Sequence, residues 1–218
     1  MKSIDNMFVN FPPEENAALE RLLEKNSHTV RLQAKKIFVS PGDKVDTIYY
    51  LKSGRTRHYM ISPDGVEQVI YILSSGWFMR ESTFLVQDKT ATRYSAAEVE
   101  SELLVIDRRN YDELARYSEF SRALLRSSCV KTEMLRRHAE SLSFDSGKER
   151  LLKLLRSLCD RSVSLDKNWA PLTIQYTQSE MASILGVTRV TVSRFMSDLA
   201  AEGTLRTVNR KIQIRICE

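Results

Sequence analysis

Cysteine and histidine are scarce in this chain of 218 residues, with three of each. Cys129, Cys159 and Cys217 lie far apart, and none has the short spacing of a zinc or iron–sulfur ligand set. Cys129 and Cys159 fall within helical patterns and are expected as small core residues. His28, His58 and His138 are equally scattered, which disfavours a metal-dependent enzyme such as a cupin-like oxygenase. No nucleophile–base constellation is visible, so no catalytic residue, metal ligand or cofactor site is assigned, and the chain reads as a non-enzyme. Apolar runs are far too short to span a bilayer. The start, MKSIDNMFVNF, lacks the basic beginning and apolar core of a signal peptide, so the expected location is the cytoplasm, without a membrane partner. Glycine and proline are also few, and neither occurs between Gly76 and Gly147.

Charged residues make up 28% of the chain and hydrophobic residues 42%, an ordinary balance for a globular protein. The net charge of +5 is unevenly placed. From Phe144 onward there are 12 Lys/Arg against 8 Asp/Glu, whereas the preceding part carries 21 against 20. The basic excess therefore belongs to the C-terminal part, as expected if that part meets phosphates.

Residues 14–25, EENAALERLLEK, read as a short amphipathic helix. Beyond Lys35 come short β-rich runs: KKIFV, TIYYL, RTRHYMI, EQVIYIL, RYSAAEV and ELLVI. Pro41-Gly42, Ser53-Gly54, Pro63-Asp64-Gly65 and Ser75-Gly76 punctuate them, which predicts an antiparallel sandwich or barrel. Roughly Glu119 to Leu142 reads as one helix, ~36 Å long at 1.5 Å per residue. Leu124, Leu135 and Leu142 fall near a 3.5-residue seam, with Ser128, Lys131 and His138 between them. That length and seam predict a dimer helix. Ser146 and Glu149 form an S-x-x-E capping box, so a new helix starts near Gly147 and Ser143–Gly147 is the expected hinge.

Between Thr177 and Leu205 the chain reads TQSEMASILGVTRVTVSRFMSDLAAEGTL. Thr177 and Glu180 form a second capping box, and Met181, Ala182 and Leu185 give that helix an apolar stripe. Gly186 suits a left-handed helix end, Val187 can plug the corner, and Thr188 can cap the next helix. In the second helix Val192, Phe195, Met196 and Leu199 fall at i, i+3, i+4 and i+7 and face inward. Arg189, Val190, Ser193, Arg194 and Ser197 face outward, a surface suited to the major groove of DNA. The segment LRTVNRKIQIRI predicts a hairpin turning near Asn209-Arg210, with Ile212, Ile214 and Ile216 in and Gln213 and Arg215 out. This is a wing whose Arg210 and Lys211 can touch phosphates. The expected DNA contacts are Thr177, Gln178, Thr188, Arg189, Val190, Thr191, Ser193, Arg194, Ser197, Arg210 and Lys211.

The glycine framework FVSPGDKVDTIYYLKSG, SPDG and SSGWF, joined to VTRVTVSRFM in the second helix, resembles the Crp/Fnr superfamily, that of the cyclic-AMP receptor protein and the fumarate–nitrate regulator, over about residues 15–217. The resemblance implies an α+β fold: an N-terminal antiparallel β-roll of the jelly-roll, cyclic-nucleotide-binding type, a long dimerisation helix and a C-terminal winged helix-turn-helix. The corresponding domains are residues 1–117, 118–143 and 144–218. It also implies a homodimeric transcription regulator, activator or repressor, on palindromic double-stranded DNA, working with RNA polymerase under control of a small-molecule effector.

Departures from the family pattern narrow the effector. Arg80 stands where a close-approach glycine is expected, and Ala91-Thr92 where cyclic-nucleotide binders carry Arg-Ser, with Arg93 one place on; cyclic AMP is disfavoured. The iron–sulfur members carry an N-terminal cysteine cluster that this chain lacks. Met79 and Glu81 stand near the Cys and His positions of haem-binding members, which disfavours haem. What remains is a small organic effector between the roll and the long helix, aromatic or carboxylate-bearing, near Arg80, Glu81, Ser82, Phe84, Arg93, Tyr94, Tyr71, Lys131 and Met134. The VTVSR run is similar to haloaromatic-sensing regulators of organohalide respiration. A cyclic-nucleotide signal and thiol oxidation at Cys129 or Cys159 stay open as alternatives.

Overall fold

The computed structural model describes residues 9–10, 17–86, 90–160 and 168–215. Two compact units divide it: Val9–Met60 with Ile70–Arg136, and Ile61–Val69 with Arg137–Glu218. The architecture is α+β, with an antiparallel roll, one long helix and a winged helix-turn-helix.

The roll is built from two sheets. One has the order β1 (Val9–Asn10), β6 (Glu67–Ser74), β5 (Arg55–Ile61), β8 (Tyr94–Ala97), β3 (Ile37–Val39). The other runs β2 (His28–Leu32), β9 (Ser101–Asp107), β4 (Thr47–Ser53), β7 (Phe78–Met79). All the predicted β-rich runs form strands; β2 and β7 were not evident from alternation, being short or mixed in character. Helix α1 (Ala17–Lys25) buries Leu19 and Leu23. They join Ile48, Tyr50, Phe78, Phe84, Leu104, Ile106 and Phe120 in one apolar core. A second core holds Leu51, Tyr71, Leu73, Trp77, Met79, Leu103 and Met134. Trp77, Phe78 and Phe84 are thus core aromatics, and Phe84 also lies under the Arg108 guanidinium, 3.5 Å from the ring centre. The short helix α2 (Glu81–Leu85) follows β7, and α3 (Arg108–Leu114) follows β9, started by the Asp107 side chain on the Asn110 N–H at 2.8 Å.

Helix α4 runs from Ser118 to Phe144. Its inward stripe includes Phe120, Leu124, Ser127, Lys131 and Met134, all buried. The predicted seam is therefore corrected. Leu124 and Lys131 face the roll, and the large apolar residues left exposed are Leu125 (65%), Leu135 (41%), Leu142 (53%) and, at the helix end, Phe144 (85%). Leu125, Ser128, Thr132, Leu135, Ala139 and Leu142 follow one another at alternating spacings of three and four, a heptad stripe in which Leu125, Thr132 and Ala139 replace Leu124, Lys131 and His138. Cys129, expected in the core, is exposed, whereas Cys159 is half-buried; Cys217 and Ile216 lie outside the described residues.

Ser146 then caps α5 (Gly147–Ser157) with both arms of its capping box formed. Phe195 packs against Gly147 so closely that a Cβ there would fall 2.7 Å from its Cε2 and force the ring to shift. Strand β10 (Trp169–Pro171), helices α6 (Gln178–Leu185) and α7 (Arg189–Ala201), and strands β11 (Leu205–Val208) and β12 (Lys211–Arg215) complete the unit. The β11–β12 hairpin turns at Asn209 and Arg210, both at positive φ. Gln213, predicted to face outward, is buried. The reason is β10, which pairs with β12 and makes it a central strand; Arg206 donates to Gln213 Oε1 at 2.6 Å while stacking on Trp169.

Candidate functional site

Two sites emerge, one in each unit. The first is the surface of α7. Thr177 Oγ1 accepts from Glu180 N at 3.2 Å, and Glu180 Oε2 accepts from Thr177 N at 2.7 Å, closing the capping box of α6. Gly186 ends α6 at φ 66°, a left-handed conformation that glycine adopts without steric cost. Thr188 Oγ1 accepts from Thr191 N at 3.1 Å and lies 2.8 Å from the Thr191 hydroxyl. Ser197 Oγ donates to the Ser193 carbonyl at 3.1 Å. The hydroxyls of Thr177, Thr188, Thr191 and Ser197 are thereby engaged with their own helices.

What remains outward on α7 is a shorter set. Val190 is 76% exposed. Arg189 and Arg194 are exposed and Ser193 half-exposed, and their side chains have no hydrogen bond among the described residues; Arg194 lies 5.5 Å from the Phe195 ring centre. On the inner side Val192 and Leu199 are buried and Phe195 and Met196 half-buried, as the helical spacing predicts. Gln178 is half-buried in the first turn of α6, and Arg210 and Lys211 are exposed on the wing. One rigid surface thus offers a methyl-bearing side chain, a hydroxyl and guanidinium groups, all suited to base edges and phosphates.

The second site is a buried polar cluster inside the roll unit. Glu81 and Lys131 are buried and form an ion pair. Lys131 Nζ also donates to the Phe78 carbonyl at 2.8 Å, and Ser128 Oγ donates to Glu81 Oε1 at 3.0 Å. Glu81 Oε2 is buried with no hydrogen-bond partner among the described residues. His58 Nδ1 lies 2.9 Å from Ser95 Oγ, and Nε2 lies 3.3 Å from Thr56 Oγ1; all three residues are buried. The His58 ring sits 4.8 Å from that of Tyr71, and Arg93 lies over the same tyrosine at 5.7 Å. Arg93 has no hydrogen bond or ion pair among the described residues.

The electrostatics follow from burial and neighbouring cations. Burial holds the His58 imidazole well below its ordinary range, and Arg93 and Lys131 add like-charge repulsion, so the ring is neutral at pH 7. Burial lowers Lys131 as well, opposed by the attraction of Glu81. Burial raises Tyr71, which stays a neutral phenol.

The sequence-predicted effector residues divide accordingly. Tyr71, Glu81, Lys131 and Met134 belong to this unit's interior, and Arg93 is half-buried beside Tyr71. Arg80 is engaged elsewhere: its guanidinium donates to the Lys44 carbonyl at 2.7 Å and to Tyr49 OH at 3.1 Å, lying over the Tyr49 ring. Its backbone sits at φ 68°, the left-handed region that a glycine would occupy without strain. Ser82 is exposed, and Tyr94 stacks on Tyr59 with centroids 5.2 Å apart. Sequence reasoning missed Thr56, His58, Ser95 and Ser127. The alternation in RTRHYMI, which puts Thr56 and His58 together on one face of a strand, was the available sign. Among the described residues, no group of three His, Cys, Asp or Glu could hold a metal, and no helix is long and apolar enough to cross a membrane.

These two sites on this fold define a ligand-responsive DNA-binding regulator. Residues 29–118 match the cyclic nucleotide-binding domain model, and residues 149–218 match the Crp-like helix-turn-helix domain model. The chain belongs to the Crp/Fnr family of transcription regulators. It is 28% identical over 219 residues to the cyclic AMP receptor protein of Thermus thermophilus, covering 96% of this chain and 92% of that protein. The cAMP-activated global transcriptional regulator Vfr of Pseudomonas aeruginosa is 24% identical over 200 residues, covering 90% and 92%. The fold is shared with the c-di-GMP responsive global regulator CLP of Xanthomonas campestris (TM-score 0.79, 21% identity, 94% and 100% covered). It is shared too with CprK complexed with OCPA (TM-score 0.73, 19% identity, 94% and 92% covered).

Proposed function

We propose that the chain is a homodimeric transcription activator whose DNA binding is gated by a small organic effector held among His58, Tyr71, Glu81, Arg93 and Lys131. The observation that carries the effector class is unmatched polarity on one half-buried and one fully buried side chain. Arg93 faces only an aromatic ring among the described residues, and Glu81 Oε2 lacks a donor. A carboxylate or phenolate on the ligand gives Arg93 a charge-assisted bond, and a ligand N–H or O–H satisfies Glu81. The cyclic-nucleotide reading stands second, favoured by relatives named as a cyclic AMP receptor protein and a cAMP-activated regulator. Against it is the occupation of the glycine position by Arg80. No metal or organic cofactor is invoked, and no enzymatic step is needed. The dimer works in the cytoplasm, and its contact with RNA polymerase follows from the activator role.

On DNA, each subunit lays α7 in a major groove, so the operator is a palindrome with half-sites about 34 Å apart. Arg194 donates to a guanine, Val190 packs on a thymine methyl, and Ser193 touches a base. Arg189, Arg210 and Lys211 meet phosphates. The effector acts by binding the DNA-competent arrangement more tightly than the alternative.

The test is selection of duplexes from a random pool by the purified chain, followed by titration with a panel of aromatic carboxylates and phenols. Enrichment of a palindrome whose affinity rises with one panel member is expected. Cyclic AMP in calorimetry, and DNA binding with and without reductant, separate the nucleotide and thiol readings. A monomer that enriches no sequence overturns the proposal.

A further inference from the structure

Strand β7 is the edge of its sheet, bonded on one side to β4. Along such a strand, successive residues turn their peptide groups alternately toward the neighbour and away from it. The Trp77 carbonyl turns toward β4 and accepts from Leu51 N at 3.0 Å. The N–H and C=O of Phe78 therefore point outward from the sheet. Phe78 is buried, and a buried peptide group without partners is costly.

Helix α4 supplies those partners. Ser127 Oγ accepts from Phe78 N at 3.1 Å and lies 3.3 Å from the Phe78 carbonyl, to which it donates. One turn on, Lys131 donates to the same carbonyl at 2.8 Å. A hydroxyl can do both because it carries a donor and two lone pairs. Ser127 is itself buried, and its hydroxyl serves the strand, unlike that of Thr132, which bonds back to the Ser128 carbonyl of its own helix. These bonds exist in one register only, because sliding α4 by a residue takes Ser127 and Lys131 off Phe78 together. Phe78 stands three residues before Glu81, so one short stretch carries both the junction with α4 and the buried carboxylate.

We infer that Ser127 is the positioning residue that transmits the state of the effector site to α4. The inference rests on the function proposed above. A ligand that draws on Glu81 or Lys131 displaces the Phe78 peptide, and the Ser127 hydroxyl obliges α4 to follow. Without that hydroxyl, the Phe78 N–H loses its partner on α4 and only Lys131 still holds the carbonyl, so a shift of the strand is passed to the helix less fully.

A double-mutant cycle on the full chain tests this without knowing the effector. The probe is the tightest duplex recovered from a random pool, and the four proteins are the wild type, Glu81→Gln, Ser127→Ala and their combination. Glu81→Gln, which alters the pocket's charge, is expected to change DNA affinity roughly tenfold in the wild-type background. In the Ser127→Ala background the same change should shrink to less than about twofold. Ser127→Cys, close in shape but a weak hydrogen-bonder, must reproduce that loss of coupling, which guards against a poorly folded alanine variant. A Glu81→Gln effect that persists undiminished, or one absent from the start, overturns the inference while leaving DNA binding intact. Failure of the wild type to bind any duplex overturns the underlying function as well.

Discussion

Single side chains decide what the recognition helix can read. Arg194 is exposed, unbonded among the described residues and stacked beside Phe195, so it is poised without supporting the fold. Arg194→Ala should cost ~1–3 kcal/mol of discrimination against mismatched duplexes, seen in competition binding, with an unchanged melting temperature. His58 makes a different prediction. The unfolded ring takes up a proton below about pH 6.5, while the buried ring resists it, so the unfolded state binds more protons there. Stability should fall as pH drops below that point, by at most about 1.4 kcal/mol per pH unit from this residue. His138, also lowered by burial and by Arg150, adds to the slope. Thermal unfolding between pH 7 and 5.5 should show a shallower slope for His58→Gln than for the wild type. The importance of His58 was hard to see in sequence, because its partner Ser95 comes from strand pairing, and Thr56, two residues back on the same strand, carries no signal on its own. Caps were easier: Thr177, Thr188 and Ser146 act on neighbours three residues away, so their chemistry is contained in a short string.

At the scale of elements, local periodicity is strongest where one face is buried and the other is wet. Strands β4 and β5 and helices α6 and α7 were legible for that reason, whereas β6 and β9, largely buried on both faces, were legible as β-rich apolar runs. Helix α4 was legible in extent but not in facing. Its roll-facing stripe is partly polar, with Ser127 and Lys131, and its outer stripe is partly apolar, so the two cannot be told apart by hydrophobicity alone. The burial of Leu124 resolves it. If the outer stripe is the dimer seam, Leu135→Glu places two carboxylates at one heptad level and should dissociate the dimer, as read by sedimentation. Because Leu135 is exposed within the subunit, the circular dichroism spectrum of helix and sheet should be retained. The wing shows the opposite limit. Gln213 read as outward because the alternation of β12 was seen without β10, a strand of three residues with little pattern of its own.

For the whole molecule, the chain divides into two units and passes between them after Met60, after Val69 and within α4 after Arg136. The fold class was legible because turn glycines, a glycine-free helix and paired capping boxes occur in a distinctive order. The proposed effector site was not, because its residues are scattered in sequence: His58 on β5, Tyr71 on β6, Glu81 on α2, Arg93 just before β8 and Lys131 on α4. The dependence of β7 on α4 has a practical outcome for protein production. Truncation after Tyr117 removes every partner of the outward Phe78 peptide and leaves a raw strand margin, a template for intermolecular cross-strand pairing. Such a fragment should precipitate or bind thioflavin on standing, whereas a fragment ending after Arg136, which keeps Ser127 and Lys131, should stay dispersed at the same concentration; light scattering would compare them. The long helix therefore acts as a built-in chaperone for the strand it covers.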